Sequence, residues 1–407
     1  MLRRASVALL FLTIACGPEH RGGDDGVSGG DAGPPDAPCL TSISGKVFAP
    51  NGTLPLYNVM VYVPENPPVA FPEGVQCTSC ASDVPGGAIA KAITGTDGSF
   101  KLEGVPPGEN IPIIITTGKW RRRLTVPFVG QCVDLPIQDG TFRLPKNRSE
   151  GEIPRIAMVA GGCDGLGCIL TKLGIDPSEF GTDINGPQRI VWFQGVGGTS
   201  PATLNATSLW GDLETMKKFD IILNSCECDV HNENKTSPDL LRQYADLGGR
   251  VFGSHFHYTW TRTLIPQWAG TANWQAGSSG TPDLVDMSHP AGQALATWLQ
   301  TVGASTTLGQ VTLSQKTPAV GAVTPPTVRW LYAGAASNPT THYLSFQTPV
   351  GAEPKDQCGK VVYAGMHVAS GTVNASFPSG CNAAFTPDEK ALVFLLFDLT
   401  ACVDIIL

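Results

Sequence analysis

Residues 240–260, LLRQYADLGGRVFGSHFHYTW, restrict the possible fold more than any other stretch. Leu240, Leu241, Tyr244 and Leu247 recur at helical spacing and read as the end of an amphipathic helix. Gly248-Gly249 stops that helix, and residues 250–253, RVFG, are a short apolar run of the kind that forms a buried strand. Ser254, His255, Phe256, His257, Tyr258 and Trp260 then follow almost together. A helix, a glycine stop, a buried strand and an abrupt polar and aromatic burst mark a strand end in an open α/β sheet. Ligands of such sheets bind outside the carboxyl ends of the strands.

The rest of residues 154–407 alternates in the same way. Apolar runs at 156–160, 189–193, 219–224 and 358–367 read as strands, and 168–174, 209–218, 291–302 and 386–397 as helices. That alternation predicts an α/β domain with a parallel sheet covered on both faces. A β-rich excursion is expected at about 306–348, and His289-Pro290 reads as the entry to the helix at 291–302. Residues 40–150 differ: short β-branched runs at 43–48, 59–63, 90–94, 99–102, 111–116 and 122–126 are separated by turn signals such as Asp97-Gly98. They predict an all-β sandwich. The expected fold class is therefore two-domain, an all-β sandwich followed by an α/β flavodoxin-like doubly wound parallel sheet.

Two resemblances agree with this division. The SGKV opening, the TDGSF hairpin and the GVPPG turn resemble the carboxypeptidase regulatory-like (transthyretin-like) domain, which implies an accessory β-sandwich without catalysis. The insertion at 64–87 departs from that pattern and is either a binding loop or decoration. FDIILNSCE, YADLGGRVFGSH, SHPAGQALATWL and GKVVYAGMH resemble the class I glutamine amidotransferase-like superfamily, nearest its ThuA-like branch. A working amidotransferase carries a cysteine nucleophile at the turn after the strand that here is RVFG. This chain has Ser254-His255-Phe256 there, so the resemblance does not extend to glutaminase chemistry.

The first residues bear on location. Met1-Leu2-Arg3-Arg4 and the apolar run at 5–15 have the charged and hydrophobic regions of a secretory signal, too short to span a bilayer. Thr13-Ile14-Ala15-Cys16 resembles a bacterial lipobox, with Cys16 the residue that would carry lipid; cleavage near Ala15 to a soluble secreted form is the alternative. Residues 17–39, rich in Gly, Asp and Pro, read as a flexible linker. The expectation is a lipid-anchored protein of a bacterial cell envelope, on an outer-membrane, periplasmic or surface face. With 27 basic and 35 acidic residues and net charge −8, a nucleic-acid partner is not expected. The one basic run, Arg121-Arg122-Arg123, reads as a solvated turn or strand end.

Of 12 cysteines, the 11 beyond Cys16 read as disulfides with at least one left over. Cys77-Thr-Ser-Cys80 lacks the second pair of a zinc site and is expected to close a local disulfide. Cys163 and Cys168 are expected to pair with Cys226 and Cys228 in some order, because both segments follow neighbouring strands.

Topology brings three strand ends to one edge: residues 224–227, residues 254–257, and Met366-His367. His255, His367 and Glu227 are expected to approach one another there, with His257 pointing away if the chain stays extended. Imidazoles with a carboxylate fit a divalent transition metal, with His255, His257, His367 and Glu227 as ligands. Alternatively Ser254 is a nucleophile with His367 as base and Glu227 as orienter, although Ser254 lacks the G-x-S-x-G frame. The plainest reading is that these histidines hydrogen-bond loop backbone. Tyr258, Trp260, Trp268 and Trp274, beside His257, form either a stacking platform for a sugar or plugs of the core. The functional expectation is a binding or structural module with a carbohydrate or envelope partner. The alternative is a metal-dependent or Ser/His hydrolase-like enzyme acting on a sugar or amide.

Overall fold

The structure is a computed structural model that describes residues 39–77, 84–198, 201, 203–278, 280–317, 319–369 and 376–400. The expected signal and lipidation segment with Cys16, nearly all of the linker, and Cys80 lie outside the described residues. The first nine strands are β1 (Ser42–Phe48), β2 (Met60–Pro64), β3 (Ala88–Ile93), β4 (Ser99–Glu103), β5 (Gly108–Thr117), β6 (Trp120–Val129), β7 (Asp134–Pro136), β8 (Phe142–Arg143) and β9 (Gly151–Glu152). One sheet has the order β4-β1-β7 with β8 also on β1; the other runs β3-β2-β5-β6-β9. β4 alternates exposed and buried along SFKLE, as a half-buried strand should. Not all pairing is antiparallel: β7 and β8 run parallel to β1. Arg121 is not a solvated strand end but 1% exposed, its guanidinium bonded to Glu152 Oε1 at 2.7 Å and lying over the Phe71 ring.

The remaining strands build one large sheet. They are β10 (Ile156–Ala160), β11 (Phe180–Gly181), β12 (Ile190–Gln194), β13 (Leu204–Asn205), β14 (Ile221–Asn224), β15 (Arg250–Ser254), β16 (Asp283–Val285), β17 (Gln310–Val311), β18 (Val328–Ala335), β19 (Asn338–Thr348) and β20 (Gly359–Ala364). The order is β11-β12-β10-β14-β15-β20-β19-β18-β16-β17, with β13 on β12. From β11 to β20 the pairing is parallel, and from β20 to β17 antiparallel. The sheet is therefore mixed, because the β-rich excursion joins its edge through β19 instead of standing apart.

The helices are α1 (Leu166–Lys172), α2 (Ala206–Trp210), α3 (Leu213–Met216), α4 (Pro238–Asp246), α5 (Pro266–Ala269), α6 (Pro290–Thr301) and α7 (Pro387–Thr400). The helix expected at 209–218 is broken into α2 and α3, because Asp212 caps a new start by accepting from the Glu214 amide. α4 ends at the expected glycines: Gly248 has φ +112°, and a Cβ on Gly249 would lie 2.3 Å from the Tyr244 ring.

All five residues of β10 are buried, and they split by parity. Ile156, Met158 and Ala160 join a core shared with α1, α6, α7 and the first two sheets; Ala157 and Val159 join a core with α2 and α4. Segments 40–150 and 154–407 thus share packing. Tyr57 stacks on Phe394 at 5.8 Å, Trp298 Nε1 donates to Pro55 O at 2.9 Å, and Lys119 pairs with Asp220 at 2.5 Å. From Leu40 onward the chain is one contact unit. No helix among the described residues is long and apolar enough to cross a membrane.

Candidate functional site

Among β12-β10-β14-β15-β20 the strand order reverses between β10 and β14, and a crevice forms at the carboxyl ends where such a reversal occurs. Here β10 delivers Gly161-Gly162-Cys163-Asp164, β14 delivers Ser225-Cys226-Glu227-Cys228, β15 delivers His255, and β20 delivers Gly365-Met366-His367. The first two loops touch closely. A Cβ on Gly161 would lie 2.2 Å from the carbonyl oxygen of Cys226, so only glycine permits this approach.

Side chains from four strand-end loops meet at the edge. The His255 and His367 rings stack with centroids 4.0 Å apart and planes 29° apart. Cys226 Sγ lies 3.4 Å from His255 Nδ1, and it accepts the Cys228 amide N–H at 3.4 Å. A His367 ring nitrogen and the Cys163 sulfur both lie within 4.8 Å of the Cys226 sulfur. Asp164 Oδ2 faces His367 Nδ1 at 3.9 Å, an ion pair rather than a hydrogen bond. Asp164 is itself fixed: Ser254 Oγ donates to Oδ2 at 2.6 Å, and the Ala369 amide to Oδ1 at 3.0 Å.

Backbone geometry aims His255. Its φ is +46°, a left-handed conformation that a histidine adopts only when its surroundings enforce it. The Tyr363 hydroxyl donates to the His255 carbonyl at 2.8 Å and helps hold the turn. Electrostatics separate the two rings. The Asp164 carboxylate, and then the Cys226 sulfur, raise His367 to about 9, so it is cationic at neutral pH. Burial, and then the His367 charge, push His255 down to about 4 and keep it neutral. Cys226 is fully buried, whereas the His367 side chain is 14% exposed and forms the solvent side of the cluster.

Other expected members are turned elsewhere. Glu227 does not join the histidines: its Oε1 accepts the Val196 amide at 2.9 Å and its Oε2 takes Lys235 Nζ at 2.7 Å. His257 is buried, with Nε2 on Ser225 O at 2.9 Å and Nδ1 accepting the Trp260 indole N–H at 3.2 Å. Both ring nitrogens of His257 are engaged, and each Glu227 oxygen is held by a partner outside the histidine cluster. The Ser254 hydroxyl is committed to Asp164, which removes it as a nucleophile served by His367 and Glu227. The aromatic platform does not assemble, because Trp260 and Trp268 lie in the core and Tyr258 and Trp274 are partly buried against it. Trp274 Nε1 donates to Ala269 O at 2.9 Å.

Two members escaped sequence reasoning. Asp164 directly follows the strand IAMVA by one glycine-rich turn, so the strand-end rule applied to β10 would have found it. Cys226 was read as half of a disulfide. Cys163 does pair with Cys228, with Cα atoms 5.3 Å apart, but Cys168 pairs with Cys381 and Cys226 is a free thiol. Cys168 sits inside α1, turned away from the β14 loop toward the segment ahead of α7. Cys77 pairs with Cys358 rather than closing the local CxxC loop. The bridges Cys77–Cys358, Cys163–Cys228 and Cys168–Cys381, together with disulfide-bonded Cys39 and Cys132, belong to a chain that folds in an oxidising compartment.

No protein-family model and no curated protein matches the chain. Among solved structures, a ThuA-like protein from Bacteroides uniformis ATCC 8492 aligns over 60% of this chain and 89% of its own, with 13% identity and a TM-score of 0.26. Two interface mutants of a type II cohesin–X–dockerin complex from Acetivibrio cellulolyticus align over 36% of this chain. They cover 78% and 79% of their own chains, each with 14% identity and a TM-score of 0.17.

Proposed function

We propose that the protein is an exported, lipid-anchored component of a bacterial cell envelope that binds a polar ligand at the carboxyl edge of its large sheet. Residues 40–150 are read as a carboxypeptidase regulatory-like sandwich. Residues 154–407 are read as a ThuA-like, flavodoxin-like body in which the strand order 2-1-3-4-5 is that of β12-β10-β14-β15-β20. The observation that carries the reading is the stacking of cationic His367 on neutral His255 at the strand-order reversal. One ring offers a charge and the other a neutral donor or acceptor, which suits an anionic or hydroxyl-rich envelope component, carbohydrate included. Calorimetric titration with soluble peptidoglycan fragments and envelope polysaccharide tests it. Binding is expected to fall at least tenfold in His255→Ala and His367→Ala, and equal binding by both variants would overturn the reading.

A second reading is a transition-metal site. The 3.4 Å between Cys226 Sγ and His255 Nδ1 is close to the separation of two ligands at about 2.3 and 2.0 Å from a tetrahedral zinc. Its ligands would be Cys226, His255 and His367, without Glu227 or His257. Elemental analysis of purified protein decides it, with one metal per chain expected and loss of that metal in Cys226→Ser.

A further inference from the structure

We propose that Cys226 is a nucleophile for acyl transfer, with His367 as its proton carrier and Asp164 as the residue that positions His367. The proposal rests on the reading of this edge as the ligand site and adds a reaction and a substrate class to it, an amide or ester of a small acyl group.

The geometry separates Cys226 from the other described cysteines. Cys39, Cys77, Cys132, Cys163, Cys168, Cys228, Cys358 and Cys381 are all spent in disulfides, while Cys226 keeps its thiol at the point where two strand-end loops cross. The Cys163–Cys228 bridge ties those loops together on either side of it. The Cys228 amide N–H donates to the Cys226 sulfur at 3.4 Å. The His367 ring lies against it, and behind His367 stands the buried carboxylate of Asp164, locked by Ser254 and Ala369. A thiol, an imidazole and a fixed carboxylate in that sequence are the parts of an activated nucleophile. His367 is the proton carrier because it is the ring paired with a carboxylate, Asp164, and it forms the solvent side of the cluster. His255 serves as a hydrogen-bond partner of the sulfur. The separations are longer than those of a working complex, as is common before substrate closes a site.

The steps balance without a further reactant besides water. The reacting pair is a Cys226 thiolate beside protonated His367. Sγ attacks the carbonyl carbon of the acyl donor, the C–N or C–O bond breaks, and His367 gives its proton to the departing amine or alcohol. His367 then takes a proton from water, whose oxygen adds to the thioester carbon. The acid leaves, and the sulfur is released as the thiolate beside protonated His367.

The test uses the full exported chain with two probes. Iodoacetamide labelling at pH 6 to 8, followed by peptide mapping without reduction, is expected to modify Cys226 in the native fold. The rate should be at least tenfold higher than in His367→Gln, and Asp164→Asn should move the pH midpoint of labelling. Because Asp164→Asn also disturbs the Ser254 and Ala369 contacts, His367→Gln with an unchanged circular dichroism spectrum is the deciding variant. p-Nitrophenyl acetate is expected to give a burst of one equivalent of nitrophenolate, lost in Cys226→Ser. Native Cys226 that labels only after unfolding in urea, or equal rates in wild type and His367→Gln, would overturn the proposal. So would labelling without an acyl adduct. If these fail while envelope fragments still bind through His255 and His367, the binding reading stands and only the chemistry falls.

Discussion

Lys235 Nζ lies 2.7 Å from Glu227 Oε2 inside the fold, with each side chain 1% exposed. The ammonium also stands over the Trp210 and Trp260 rings at 5.0 and 5.8 Å and donates to the Val230 carbonyl at 2.8 Å. The pair ties the loop after β14 to the segment ahead of α4. Removing one partner leaves a buried charge without its counter-ion. Lys235→Met is therefore expected to cost about 3–5 kcal/mol in urea unfolding. Lys235→Met with Glu227→Gln should recover part of that loss. A single substitution costing less than 1 kcal/mol would show that the pair is not buried as described.

His257 makes the protein sensitive to acid. Burial, and then the Lys235 charge, push it down to about 4, and the Trp260 N–H aimed at Nδ1 occupies the position a second proton would need. Between about 4 and its ordinary value of about 6.5, the unfolded chain binds that proton and the folded chain does not. Stability should therefore decline as pH falls through this window, by up to about 3 kcal/mol from this residue. His367 acts in the opposite sense: raised to about 9, its contribution is present below about 6.5 and is lost as pH rises through about 9. Urea midpoints from pH 4 to 10 would check both, with His257→Gln flattening the acid limb and His367→Gln the alkaline one.

Peptide mapping without reduction should recover Cys77–Cys358, Cys163–Cys228 and Cys168–Cys381, with Cys226 as a thiol. The Cys168–Cys381 bridge spans 213 residues and joins α1 to the segment ahead of α7. Replacing both of its cysteines by serine is expected to cost about 2–5 kcal/mol. A map pairing Cys168 with Cys226 would contradict the placement of α1.

The anchor has its own test. If Cys16 carries lipid, Cys16→Ser should move the protein from washed membranes into the soluble export fraction. Retention of the variant on membranes would remove the lipobox reading.

Much of the frame was legible in the sequence because it depends on periodicity and local sterics. IAMVA, IVWFQ, IILN and RVFGS are apolar on both faces, so they had to lie inside a sheet covered on both sides. Gly248-Gly249 had to end α4, since one takes φ +112° and the other leaves no room for a Cβ. Parallel neighbours put their carboxyl ends on one edge, and that alone brought His255 and His367 together.

Side-chain direction at that edge was not legible, because it is set by partners distant in sequence. Ser254 turns to Asp164 90 residues away, and Glu227 turns to Lys235, whose position depends on the loop before α4. Disulfide pairing needs Cα atoms about 4.4–6.8 Å apart, a condition only packing sets. Packing brings Cys163 to Cys228 and Cys168 to Cys381, at 5.3 and 4.9 Å, and leaves Cys226 without a sulfur to bond. Strand order and the crowding of three loops over β10 and β14 thus decided that a cysteine read as structural became the thiol beside two histidines.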